Sequence, residues 1–422
     1  MSDQQPLKQV LRNSSHLLLM QVFNYALPFL TFPYLTWTIG AQNLGQVHFS
    51  NAIVSFLVTL ADFGLNITAT QQVALWRDEP DKLRQIVGRV LQIRLLLIVL
   101  TGLLWFGSLA LIPTLAEDYW LHALTFLMVP AQVLAPTFFF QGQDKMAVYS
   151  RLTIAAKVLF TALVFSLVTS AADYRLVNPL NAIGSLVPAL FGWYLLQRQL
   201  KGAWFPWLVQ LDKTLLRDSF FVSLAHLSQN ALGAMYMVIA GFVLDKPTLG
   251  QFNLADKLIW PFRQLIGAGF QASYPQVVRQ FAVSMAAGRA FLMKLARVFG
   301  LIGLAALVGI LVLAPYVIQL INKGEAAPMA TQYLRLMAPL AFLIAVQVPF
   351  AQYMVATHLK SRYTALTMVA ALLSYGLNIW LVQDYGVIGI IGAITFVEVF
   401  IVLGLWWWYR SQNRETGTQN QV

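Results

Sequence analysis

Residues 251–271 read QFNLADKLIWPFRQLIGAGFQ. The stretch sits in a run long enough to cross a membrane as a helix, yet it holds Asn253, Asp256, Lys257, Arg263, Gln264 and Gln271. On an α-helix, residues three, four and seven apart share a face. Asn253, Asp256, Trp260, Arg263, Gly267 and Gln271 step by 3, 4, 3, 4 and 4, with Lys257 and Gln264 flanking that line. The other face is Leu, Ile and Phe. A charge at the centre of a lipid-facing helix costs at least ~2.5 kcal/mol, so the polar face is expected to look at protein or water. At 1.5 Å per residue, Arg263 lies about 21 Å along the helix, too deep to snorkel easily to the outer surface.

The rest of the chain has the composition such a helix needs. Of 422 residues, 58% are hydrophobic and only 11% charged; the mean hydropathy is +0.65. A soluble protein of this length carries far more charge. Apolar runs of about 18 residues or more recur from residue 14 to 408, each long enough for the ~30 Å hydrocarbon core. The expected fold class is an all-α polytopic membrane protein with twelve transmembrane helices. They lie near 14–38, 46–70, 87–112, 120–140, 150–170, 177–197, 218–243, 249–275, 292–318, 331–356, 363–382 and 386–409. The first 13 residues are mostly polar and the next run is too long for a signal-peptide core, so no cleaved leader is expected. With no cysteine, disulfides, thiolate catalysis and thiolate metal sites are excluded. The five histidines lack metal-ligand spacing, and no metal or other cofactor is expected.

The net charge of +11 is read as loop charge on a membrane protein rather than as a nucleic-acid surface. Threading the spans puts 21 of the 28 Lys and Arg on the side of both termini, Lys157 among them, and four (Arg175, Lys246, Lys323 and Arg335) on the other. Arg94, Lys257 and Arg263 fall inside spans. The asymmetry predicts cytoplasmic N- and C-termini. The aromatic clusters at 204–207 and 406–409 read as interfacial anchors.

NLGQVHFSNAI (43–53) and TLGQFNLADKL (248–258) share Leu-Gly-Gln at an offset of 205, close to half the chain. Two six-helix lobes of the same orientation follow, with a site expected between them. The expected organisation is an N-terminal lobe at 1–200, a cytoplasmic connector at 201–217, a C-terminal lobe at 218–410 and a cytoplasmic tail at 411–422. The helix at 46–70 repeats the polar stripe as Asn51, Ser55, Thr59, Asp62, Asn66 and Thr70. Gln21, Asn24, Pro28 and Thr31 form another stripe, and Ser223, His226, Asn230 and Gly233 a fourth. Four such faces predict a polar central cavity.

The 249–275 helix sets two cations against one acid. That local excess suits an anionic group such as a phosphate or diphosphate. The alternative is an internal Asp256–Lys257–Arg263 network that only packs helices. Arg94 is either a second cation for the site or a snorkelling base near the cytoplasm. Arg335 is placed at the outer mouth. Glu398, mid-helix and without an evident sequence partner, is a candidate for carrying a proton or pairing with a base. Asp62, Asp256 and Glu398 are thus the acids available for ion coupling.

YALPFLTFPYLTWTIGAQNLG (25–45), DFGLNITATQQVA (62–74), PTFFFQGQDKMAVYS (136–150), QYLRLMAPL (332–340) and DYGVIGIIGAI (384–394) together resemble the Wzx-type O-antigen and polysaccharide repeat-unit flippases. Those form the polysaccharide transporter branch of the MOP (multidrug/oligosaccharidyl-lipid/polysaccharide) exporter superfamily. The resemblance runs from about residue 12 to 410. It implies two six-helix bundles, a bacterial inner-membrane location, and transfer of undecaprenyl-diphosphate-linked repeat units to the periplasmic leaflet. Membrane lipids and the undecaprenyl-diphosphate-linked glycan are the implied partners, with a polysaccharide polymerase and a chain-length regulator as further candidates. On this reading Lys257, Arg263, Arg94 and Arg335 meet the lipid diphosphate. Phe140, Gln141, Gly142, Asp144, Lys145 and Met146 match the family's FQG-x-[DE]-KM motif, where Gln141, Asp144 and Lys145 read as a cytoplasmic gate. Trp37 stands where the family often has Arg, so no role of that Arg carries over. A multidrug-type cation antiporter of the same superfamily is the competing function; the basic excess argues against its acid-lined cavity. A membrane enzyme would need long outer loops, which are missing.

Overall fold

The computed structural model describes the backbone of residues 4–200, 213–357 and 359–419. Side chains of residues 4–26, 28, 29, 214, 221, 225, 229, 231, 272, 360 and 412–419 are left out of that description. Gln21, Asn24, Pro28, His16 and His358, the Trp204–Trp207 cluster, most of the connector and the tail beyond 411 therefore lie outside the described residues or side chains. The chain gathers into two compact units, residues 1–230 and 231–422. Among the described residues all regular structure is helical.

The first unit holds α1 (Gln4–Asp62), α2 (Leu65–Leu75), α3 (Pro80–Leu111), α4 (Pro113–Ala116), α5 (Tyr119–Thr125), α6 (Met128–Val133), α7 (Thr137–Gly142) and α8 (Met146–Leu167). A 3-10 turn (Ala171–Leu176) and α9 (Val177–Gln199) follow, and the division falls within α10 (Lys213–Val243). The second unit continues with α11 (Lys246–Val283), α12 (Met285–Ile321), α13 (Pro328–Ala356) and α14 (Lys360–Gln419).

Eight stretches among the described residues are long and apolar enough to cross a membrane. Two of them, Leu30–Leu75 with 46 residues and Ser361–Ser411 with 51, exceed what one crossing needs. Within them, α1 leaves helical geometry at Gly40 (φ 80°, ψ 158°) and α14 at Gly386 (φ 55°, ψ −132°). Only glycine adopts such angles without strain. The expected twelve spans require dividing these two stretches and admitting α10 and α11, which length and apolarity alone leave out. For α11 the reason is its charge.

Two expected helices are interrupted. The span read as 120–140 breaks into α5, α6 and α7. Pro130 and Pro136 lack the N–H that a continuous ladder needs and collide with the preceding turn. The span read as 46–70 breaks at Phe63 (φ 52°) and Gly64 (φ 71°), so Asp62 and Asn66 belong to different helices, α1 and α2, not to one continuous face.

Each unit has its own apolar interior. In the first, Leu65, Val73, Val90, Phe138 and Leu196 pack together, and Leu35, Leu44, Leu121 and Val164 form a second cluster. In the second, Val277, Leu292, Tyr353, Met354, Val397 and Leu405 do the same. Outside these clusters α3 exposes Leu103 and Leu104, α12 exposes Leu301, and α14 exposes Leu372, each at about two-thirds or more. Faces this apolar fit a hydrocarbon solvent, and on a water-soluble surface they would drive association. Hydroxyls within the helices turn back onto their own backbone: Thr36, Thr38, Thr59 and Thr70 each donate to the carbonyl four residues earlier.

Between α10 and α11, Asp245 caps α11 by accepting from the Thr248 backbone N–H at 3.3 Å. Hydrogen bonding by Thr248, chiefly from its side chain, holds the exposed Asp245 carboxyl below the ordinary Asp value. A depressed carboxyl stabilises the fold above the unfolded value near 3.9, and that contribution disappears as pH falls through the folded value. Asp245→Ala is expected to cost about 1 kcal/mol near neutral pH. Thermal unfolding of the two proteins should show the gap closing below roughly pH 4.

Candidate functional site

Charges inside a membrane protein have to meet each other, and they do so at two places. In the first unit, Arg94 of α3 is 2% exposed. Its guanidinium donates to Asp62 Oδ1 at 2.6 Å and to the Ala135 carbonyl at 3.1 Å. The expectation that Arg94 snorkels is therefore corrected. It is buried because Asp62, at the end of α1, neutralises it. The break after Asp62 also turns α2 into its own helix, in which Asn66 accepts from the Thr137 hydroxyl at 2.6 Å. Gly64 is needed at this break. A Cβ there would stand 2.6 Å from the Ser219 carbonyl oxygen and 2.9 Å from the Ser223 backbone nitrogen of α10.

The residues around Asp144 and Lys145 form a cross-linked corner of the same unit. Arg77 meets Asp144 at 3.5 Å, and Gln143 donates to the Arg77 carbonyl at 3.2 Å. Lys145 donates to Gln199 at 3.0 Å, and Gln199 in turn donates to Gln143 at 3.2 Å. Asp144 takes a left-handed φ of 56° to make the turn. Gln141 is exposed. Gln143 and Gln199, which sequence reasoning passed over, complete the corner.

In the second unit, α11 places its charges as the spacing required; Lys257 and Asp256 pair within α11, and further partners come from other helices. Tyr236 of α10 donates to Asp256 Oδ1 at 2.6 Å, and Lys257 Nζ lies 3.6 Å from Asp256 Oδ2. Arg263 lies 3.4 Å from Glu398 of α14, whose other oxygen accepts from Gln347 of α13 at 3.1 Å. Glu398 thus pairs with a base, one of the two roles its sequence left open. It also balances the local charge: Asp256 and Glu398 face Lys257 and Arg263, two against two, where α11 by itself suggested a cationic excess. Pro261, between the two cations, cannot donate to the Lys257 carbonyl and leaves it unbonded within the helix ladder. Tyr236 and Gln347 were not singled out from the sequence. The available signal for Gln347 was a lone polar side chain in an apolar run.

The two ion pairs differ in kind. At 2.6 Å with the Arg94 side chain 3% exposed, the Arg94–Asp62 pair is a closed, charge-assisted contact. At 3.4 Å and 3.6 Å, with the side chains of Arg263 and Lys257 26% and 27% exposed, the α11 cations hold their carboxylates loosely. They keep donors for another anion.

The remaining candidates scatter. Asn230 of α10 donates to the Ser55 carbonyl and to Thr59 Oγ1, each at 3.0 Å, joining two of the expected stripes within the first unit. Asn51 is half-buried and Gln271 exposed, while Gln264 is half-buried. Asn253 is fully buried, and neither end of its amide has a hydrogen-bond partner among the described residues. Arg335 is exposed and donates to the Leu311 carbonyl at 3.1 Å; Trp37 is 40% exposed.

A cavity of about 400 Å³ opens in the first unit, lined by Thr31, Gln132, Thr153, Lys157, Asn181 and Ser185 among others. Lys157 lies in the middle of α8, within the span read as 150–170, although the charge count assigned it to the side of the termini. The signal was present in LTIAAKVLFTALVF (152–165), a single base with threonines four residues either side.

Residues 10–214 match the family model described as polysaccharide biosynthesis protein. A protein of Escherichia coli (strain K12) named as an O-antigen transporter is 28% identical over 374 residues, covering 86% of this chain and 88% of the relative. One of Shigella dysenteriae with the same name is 24% identical over 405 residues, covering 93% and 98%. Among solved structures, the lipid II flippase MurJ in an inward closed conformation matches with a TM-score of 0.66 at 13% identity, covering 95% of this chain and 87% of that one. An inward-facing multidrug resistance transporter of the MATE family in the MOP superfamily matches at 0.63 and 15%, covering 95% and 96%.

Proposed function

We propose that this chain is a polysaccharide transporter of the MOP exporter superfamily and that it flips undecaprenyl-diphosphate-linked oligosaccharide repeat units of O-antigen type. The direction is from the cytoplasmic to the periplasmic leaflet of a bacterial inner membrane, by alternating access, with both termini cytoplasmic. The observation that carries the reading is the loosely paired Arg263–Glu398 and Lys257–Asp256 cluster on a membrane helix. A lipid diphosphate entering beside α11 competes with Glu398 for the Arg263 guanidinium. A neutral cluster cannot take up that charge cheaply unless a carboxylate gives way. Protonation of Glu398 removes one negative charge, leaves Gln347 and the protonated carboxyl hydrogen-bonded to each other, and frees Arg263 for phosphate. Anion uptake and proton uptake are then one event, which links transport to a proton gradient. A polysaccharide polymerase and a chain-length regulator are the protein partners this role brings.

Lys257→Ala with Arg263→Ala is expected to abolish surface glycan while the protein remains in the membrane, measured by glycan staining and membrane immunoblot. Removing one partner of a buried pair strands the other and costs about 3–5 kcal/mol, so the double change also needs a packing control. Arg263→Gln with Glu398→Gln keeps side-chain size and hydrogen bonding without charge, and should lose display equally. Normal glycan display with either pair of changes would refute the role given to these cations. Unaltered sensitivity to cationic drugs in a deletion strain separates this function from multidrug export.

A further inference from the structure

We propose that the cavity around Lys157 in the first unit is a subsite for a singly anionic sugar, such as a uronic acid, of the transported glycan. The inference rests on the transport reading for its physiological ligand, but its chemistry stands on this cavity alone. Lys157 sits eleven residues into α8, within a membrane span. No carboxylate lies within ion-pair distance of it among the described residues, whereas Arg94, Lys257 and Arg263 each have one. A base inside a span without a counter-ion is retained for a ligand or a water-filled path.

The walls say which ligand. At about 400 Å³ the cavity is within the range of small-molecule sites, large enough for a sugar ring with water and too small for a prenyl chain with its diphosphate. Its lining mixes hydroxyls and amides with apolar surface. Thr153 and Ser185 donate their hydroxyl protons to their own helix backbones, so their oxygens keep lone pairs that can accept from sugar hydroxyls. The Thr161 hydroxyl is buried with no partner among the described residues. Asn181 and Gln132 add amides that both donate and accept. One ammonium balances one carboxylate, while a diphosphate would bring surplus charge. Arg94, anchored to Ala135 of the cavity wall, is already neutralised by Asp62. The same chemistry, one negative charge on a polyol, also describes a phosphoglycerol lipid headgroup, and the test separates the two.

The test uses the full chain in phosphatidylcholine nanodiscs, with saturation-transfer NMR of glucuronate and glucose. Wild-type protein is expected to bind glucuronate at least ~10-fold more tightly than glucose, a comparison that needs no variant. Lys157→Met should remove that preference, Lys157→Arg should keep most of it, and Thr153→Val should weaken both sugars. Equal binding of glucuronate and glucose by wild type, or undiminished preference in Lys157→Met, overturns the proposal. Displacement of glucuronate by glycerol phosphate at lower concentration than by glucuronate itself overturns it too, by assigning the site to a lipid headgroup. None of these readouts involves transport. The α11 cation variants and the Lys157 binding assay therefore fail or succeed separately.

Discussion

Asp62→Ala should destabilise the first unit by about 3–5 kcal/mol, the cost of stranding a buried charge whose partner is removed. The substitution leaves a guanidinium at 2% exposure with the Ala135 carbonyl as its one hydrogen-bond acceptor among the described residues. Thermal unfolding in detergent and the amount of folded protein in the membrane measure the loss. Asp62→Ala with Arg94→Met removes both charges and fills the space with an apolar stem of similar length. It should recover most of the stability, because a buried pair is worth little more than its hydrophobic replacement. A coupling energy of at least about 2 kcal/mol in the double-mutant cycle is the expected signature. Additive effects, or a single Asp62→Ala protein as stable as wild type, would refute a structural pair. The outcome bears on coupling as well. A carboxylate locked at 2.6 Å to a buried arginine is poorly placed to exchange protons during a cycle. Among the three acids considered, Glu398 is the better candidate, because its contact with Arg263 is long and partly open.

Gly64→Ala should be nearly as damaging, for a different reason. Gly64 holds φ at 71° where α1 gives way to α2, a conformation that costs a side-chain-bearing residue roughly 1–2 kcal/mol. The added methyl would also press on α10 at the Ser219 carbonyl, the Ser223 nitrogen and Val222 Cβ, at 2.6, 2.9 and 2.9 Å. Two of these atoms are backbone and cannot step aside, so an overpacking cost of about 1–3 kcal/mol adds to the strain. Thr68 of α2 and Ser219 of α10 share a hydrogen bond at 2.7 Å next to this contact, and pushing the helices apart breaks it. Gly267→Ala is the control: Gly267 lies in α11, where a Cβ meets nothing within 4 Å. It should stay within about 0.5 kcal/mol of wild type. The comparison is read from melting temperature and from surface glycan. If Gly64→Ala matches Gly267→Ala, the close approach of α2 and α10 does not constrain the fold.

Much of this protein was legible in local sequence. Apolar run length predicted membrane helices, and the spacing of Asp256, Lys257 and Arg263 marked α11 as a helix that must hide one face. The resemblance carried by 25–45, 62–74 and 136–150 pointed to the same kind of protein as the O-antigen transporters to which the chain is similar. Neither run length nor spacing showed that the chain breaks inside the second and fourth expected spans. At Gly64 a close neighbour decides, and at Pro130 and Pro136 the missing donors outweigh an uninterrupted apolar pattern.

What the sequence determined by itself is which residues the membrane will not tolerate alone, because the cost of a charge in hydrocarbon depends only on the residue and its depth. Only the tertiary structure decided how each charge is answered. Arg94 finds its acid 32 residues away, Glu398 its glutamine 51 away, and Arg263 its carboxylate on another helix. Lys157 lines a cavity with no carboxylate at ion-pair distance among the described residues. Hydrogen bonds need heavy atoms within about 3.2 Å and a Coulomb pair is strongest at contact, and which groups come that close is set by helix packing rather than by position along the chain.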